Sequence, residues 1–193
     1  MASKIKIKQL TSGNELSGKV IKSDGLSGFD FLDVIEKGIT FPISPLSGDT
    51  FYRTDVDTLF HYDGSRSKWL SVNTSTLTCG RSTSDKDASA YMLIGDSVQS
   101  STEGFVLSRN GTIISASIDN SVTLTSTRDT EIRINNSIVN KATLSLTSGN
   151  KSLLLDNINQ DFSSGDRLQV IVLSNTTDTL SNVIVIVEVA WRI

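Results

Sequence analysis

At 193 residues with a formal net charge of −3 and a pI near 5.1, the chain has room for one main domain plus a smaller attachment, and its charge offers no general attraction for nucleic acid. Its single cysteine, Cys79, excludes an intrachain disulfide, and no apolar run signals secretion or membrane insertion, so synthesis in a cytoplasm is expected. Ser and Thr make up about a quarter of the residues against twelve aromatics and two prolines, a composition that favours β-structure over long helices.

In chain order, "MASKIKIKQL" alternates Lys4, Lys6 and Lys8 with Ile5 and Ile7. As a strand it carries three charges on one face and two branched apolar side chains on the other. Such an arm suits docking onto another protein, and equally suits an edge strand blunted by lysines. In "GLSGFDFLDVIEK" the three-apart spacing of Phe29, Leu32 and Ile35 is compatible with a short helix or a single helical turn, ended by Gly38. Pro42 and Pro45 then hold a junction extended.

The segment "GDTFYRTDVDTLFHYDGSRSKWLSV" predicts a three-stranded meander whose strands are separated by "DVD" and "DGSRS". Because so small a sheet is marginal alone in water, Phe51, Tyr52, Phe60, Tyr62 and Trp69 are expected to pack as a collar rather than to stand as a sugar platform. The polar run "NTSTLTCGRSTSDKDAS" reads as a linker or long surface loop.

Beyond it the pattern is all strand. "EGFVLSRNGTIISASI" predicts a hairpin turning at Asn110-Gly111, since both residues accept the positive φ of a type I′ turn. "SVTLTST", "TEIRINN", "ATLSLTS" and "KSLLLDNI" follow at spacings near ten residues, with Ile132 and Ile134 inward and Arg133 outward, the rhythm of a sandwich or jelly roll. In the closing "SNVIVIVEVAWRI", Val183, Val185, Val187, Val189, Trp191 and Ile193 share one face, and Ile184, Ile186, Glu188, Ala190 and Arg192 the other. Both faces are apolar at first. An antiparallel strand of this kind is expected either to be covered outside by a neighbouring subunit or to be a central strand covered by the chain's own loops.

The residues of catalysis are sparse: one histidine, His61, lies in an aromatic strand, and Cys79 lies in a polar run with no nucleophile motif around either. Asp55, Asp57 and Asp63 have no calcium-loop spacing and read as turn residues. The expectation is a non-enzyme without metal or cofactor.

Two segments resemble known proteins. "FPISPLSGDTFYRTDVDTLFHYDGSRSKWLSV" resembles the P-x-x-G-D-x-F-Y-R-T-D … L-x-x-Y-D-G … W element of tailed-phage virion proteins, particularly fibres and decoration proteins. "GFVLSRNGTI", with "FSSGDRLQVIV" and "VIVIVEVAWRI", is similar to C1q/TNF-like jelly rolls, the match being carried by Phe162, Gly165, Asp166, Leu168 and Val170. The resemblance implies an all-β chain: an N-terminal anchoring segment over 1–45, a small β-meander over 46–72, a linker over 73–89 and a C1q/TNF-like jelly-roll head over 90–193. It further implies a homotrimer whose last strand, with Ile184, Val185, Ile186, Val187, Val189 and Trp191, forms core and interface near the axis. Lys4, Ile5, Lys6, Ile7 and Lys8 would dock onto other virion proteins of capsid, neck or tail. The expected role is a capsid decoration, head-fibre or short tail-fibre protein located in the virion; the alternative is a host-receptor module or surface adhesin that grips surface glycan.

Overall fold

A computed structural model describes residues 19–23, 29–33, 35–84, 89–95, 97–174 and 178–193; the arm Lys4 to Lys8 lies outside them. Every helix or strand among the described residues is a β-strand, and the all-β architecture expected from composition is the one found. β1 (Lys19–Ser23) and β2 (Phe29–Asp33) form an antiparallel pair with Ile21 opposite Phe31. The segment around Phe29 and Leu32 is therefore strand, not the helical turn its spacing suggests. Spacing within one segment carries no information about a pairing partner, and here the partner decides.

The next unit is a four-stranded sheet in the order β3 (Glu36–Gly38), β4 (Thr50–Arg53), β5 (Thr58–Asp63) and β6 (Lys68–Ser71). The expected meander is present in β4, β5 and β6, which pair antiparallel, and β3 adds a parallel strand beside β4. Turn chemistry explains the corners. Asp57 and Ser67 take positive φ, and Asp63 Oδ1 accepts from the Ser65 and Arg66 backbone N–H groups, closing the turn with a side chain.

The head consists of two packed sheets. One runs β10 (Ser97–Val98), β9 (Leu93–Ile94), β7 (Thr74–Ser84), β18 (Leu180–Trp191), β12 (Gly111–Asp119) and β15 (Ser152–Leu155), with β16 (Gln160–Phe162) also on β12. The other runs β11 (Phe105–Val106), β17 (Arg167–Val172), β13 (Arg128–Ile134) and β14 (Lys141–Leu146), with β8 (Ala90–Tyr91) also on β17. The pairings are nested: β7 with β18, β11 with β17, β12 with β15, β13 with β14. That is jelly-roll connectivity. Between the sheets lie Ile113, Ile118, Ile132, Leu144, Leu168, Val170, Val185 and Val187, each at most 1% exposed.

Three expectations are corrected. The stretch 73–89, read as a linker, contains β7, which pairs with β18 over most of its length; it is the first strand of the head, whose boundary moves back to Thr74. Its polarity misleads because the outward positions carry Thr76 and Thr78 while Leu77 and Cys79 supply the inward ones. The hairpin at Asn110-Gly111 does not exist either, because β11 and β12 join opposite sheets. Neither residue has positive φ. Gly111 is needed for a different reason: a Cβ there would stand 2.4 Å from Phe162 Cζ and 2.7 Å from the Ala190 carbonyl oxygen, so only a bare backbone fits. Finally, "SVTLTST" is a loop, in which Leu124 plugs the core at 2% exposure and its carbonyl accepts from the Gly149 N–H.

Candidate functional site

The aromatic collar residues divide by strand parity. Phe51, Phe60, Tyr62 and Trp69 share a face through the registers Phe51 opposite Phe60 and Tyr62 opposite Trp69. Tyr52 points the other way, and its hydroxyl donates to Asp57, so it is not part of the cluster. The centre of the cluster is a residue the sequence reading passed over, Phe41. Its ring stacks on Trp69 at 4.8 Å, meets Phe60 and Phe51 edge-on at 5.2 and 5.7 Å, and carries the Arg53 guanidinium 4.8 Å above its centroid. The signal was present in "FPISP": a proline after an aromatic holds that ring in an extended segment that can lie across a sheet.

The small sheet is fastened to the head by two cations, Arg66 on backbone carbonyls and Lys68 on side-chain oxygens. Arg66 donates from Nε to the Ile158 carbonyl at 2.7 Å and from Nη2 to the carbonyls of Ile114 and Asp156 at 2.9 and 3.0 Å, while pairing with Asp63. Lys68 Nζ lies 2.6 Å from both Asn159 Oδ1 and Asp161 Oδ1. Burial pushes the Asp63 carboxyl up, but hydrogen bonds from Ser65 and Arg66 outweigh it and leave the group at about 2. Asp161 is held below the usual range in the same way: burial opposes, and Lys68, Thr112 and Arg192 prevail.

On β18 the expected interface and core residues separate cleanly. Val185, Val187 and Val189 are fully buried between the sheets, and Trp191 closes the end of the sandwich against Phe162. Ile184 and Ile186 face outward at 48% and 41% exposure. Across the sheet, Ile186 lies in one row with Thr78 and Ser117, and Ser117 pairs with Leu154, itself 64% exposed. The single charge on β18 in this area, Glu188, accepts from the Thr74 and Ser115 hydroxyls. No Lys or Arg stands in these rows. Leu154 was also missed; three consecutive leucines in "KSLLLDNI" oblige one of them to face out of an alternating strand.

The reactive residue types are dispersed. Cys79 is buried and its thiol is pushed up to about 12 by desolvation, which makes it a core hydrophobe at neutral pH. His61 is half-buried on β5. Asp55 is bound by Arg53, Asp57 accepts from Tyr52 and Asp63 is committed to Arg66; among the described residues no group of three or more His, Cys, Asp or Glu is placed to hold a metal ion. No protein-family model, no curated protein and no solved structure matches the chain.

Proposed function

We propose that the chain is a structural protein of a bacteriophage virion, a homotrimeric capsid decoration, head-fibre or short tail-fibre component anchored through its N-terminal segment. The observation that carries the trimer is an outward patch of Ile184, Ile186 and Leu154, large apolar side chains exposed on one sheet face, with Thr78 and Ser117 in the row of Ile186 and Gly80 and Asp119 in the row of Ile184. A face of this kind is solvated poorly, and small flanking hydroxyl residues allow a neighbour to approach closely. Copies related by a closed rotation can each cover the next one's row. Support for the virion setting comes from the segment Phe41 to Val72, whose resemblance to a phage structural element covers the stretch that here packs Phe41, Phe51, Phe60 and Trp69 into one cluster and tethers it through Arg66. The residues behind the C1q/TNF likeness also have structural work here: Gly165 takes φ +88° in the turn before β17, Asp166 caps that turn through the Ser163 N–H, and Leu168 and Val170 enter the core.

Light scattering on the eluting protein is expected to give three times the 20.9 kDa chain mass, and Ile186→Asp is expected to give a folded monomer that still melts cooperatively, at a temperature lowered by the loss of the subunit contacts. A wild-type monomer sinks the trimer, and a variant that stays trimeric removes the β18 row from the interface. Mass spectrometry of purified particles of the encoding phage tests the setting: the chain must be among their proteins.

A further inference from the structure

We infer that the cleft between the small sheet and the head is a binding site for an acidic saccharide, one whose ring bears a carboxylate. The cleft holds about 480 Å³ and is bordered by Phe60, Thr58 and Asn73 from the small-sheet side and by Arg109, Trp191 and Arg192 from the head. That volume lies in the range of small-molecule sites, roughly 300–1,000 Å³, which favour junctions between structural units.

The chemistry of the lining selects the ligand class. Among the described residues its charged side chains are two guanidinium groups and no Asp or Glu borders it; Arg192 is paired with Asp161 just outside the lining, which leaves Arg109 as the uncompensated charge. One uncompensated guanidinium on a concave surface favours an anionic group beside it. The two arginines are held differently. Arg192 is fixed, donating from Nε to the Gly111 carbonyl at 3.2 Å, with Nη1 3.4 Å from Asp161. Arg109 is exposed and forms no ion pair or hydrogen bond among the described residues, so its planar fork is available for a carboxylate.

The uncharged part of the lining suits a sugar ring. Trp191 borders the cleft with its indole N–H committed to Ser75 Oγ at 3.2 Å, so the ring adds no donor there and what it lends is apolar, the complement of the apolar C–H face of a pyranose. The Ser71 hydroxyl is also spent, donating to the Asn73 carbonyl and accepting from the Trp191 N–H. The Asn73 side-chain amide, by contrast, is exposed and makes no hydrogen bond among the described residues, and it supplies the donor-and-acceptor pair that a vicinal diol requires. An inorganic anion would use only the arginines, and a neutral sugar only Trp191 and Asn73. A uronic-acid unit uses both sets. The site lies at the base of the head, and the inference rests on the cleft alone, so its fate is separate from that of the trimer.

Calorimetric titration of the full chain at constant ionic strength tests this with three probes: a glucuronate-containing disaccharide, its glucose counterpart and acetate. The uronate is expected to bind saturably and at least about tenfold more tightly than either of the others, the size of one charge-assisted hydrogen-bonded pair. Arg109→Ala is expected to weaken the uronate about tenfold, and Asn73→Ala to weaken it less, both at unchanged melting temperature. Absence of saturation by about 10 mM uronate, equal binding of acetate, or full affinity in Arg109→Ala would each overturn the assignment.

Discussion

Between its two sheets the head buries branched aliphatic residues such as Ile132, Val170 and Val187, whereas the four-stranded sheet beside it buries rings: Phe51 and Phe60, with Phe41 and Trp69 stacked across them. The head has two layers, so side chains of moderate size meet in the middle and fill the gap. The small sheet has no second sheet of its own. It covers one face by laying Phe41 of an extended segment across the rings of its own strands, and it borrows rigidity from the head through Arg66 and Lys68. A sheet too small to be stable alone is stabilised by area per residue and by tethers rather than by depth of core.

The largest expected effect separates these two kinds of core. Val187→Asp places a carboxylate in the fully buried centre of the head and should cost more than about 4 kcal/mol, abolishing cooperative unfolding of the whole chain. Ile186→Asp, one residue away on the opposite face, should leave the sandwich folded and cooperative and cost only the subunit contacts of that side chain. If both variants melt like wild type, the inward and outward assignments along β18 are wrong. Smaller and more local is Trp69→Ala, which removes a half-buried ring from the Phe41 stack and should cost about 3 kcal/mol. Hydrogen exchange is expected to show amide protection lost over Thr50 to Ser71 and kept in β12, β17 and β18; a uniform loss would mean the two units unfold as one.

The smallest effect comes from acid. The folded Asp63 carboxyl sits at about 2, below its unfolded value near 3.9. Its contribution is therefore complete above about pH 4 and is lost as pH falls toward 2. Asp178, whose carboxylate accepts from Thr125 and Ser126 in the head, sits at about 2 for the same kind of reason. Asp63→Asn should flatten the acid transition seen by Trp69 fluorescence and leave that of the head loops in place. An acid profile identical to wild type in Asp63→Asn would show that the Arg66 tether does not depend on its carboxylate partner.

Alternation and turn chemistry alone determined much of this protein: the all-β class, the β4–β5–β6 meander, the inward Ile132 and Ile134, and the two apolar faces of β18. These depend on local periodicity, which a sequence displays directly. What only the tertiary structure decided depends on partners far along the chain. Thr74 to Ser84 becomes a strand because β18 offers it hydrogen bonds a hundred residues later, and Phe29 to Asp33 because β1 faces it. Asn110-Gly111 is no hairpin, since Gly111 is required by the approach of Phe162 and Ala190. The cleft between Asn73 and Arg109 exists only because Arg66 and Lys68 dock one sheet on the other. Local pattern states which face of a strand is apolar; the chain's long-range pairing determines what, if anything, comes to lie against it.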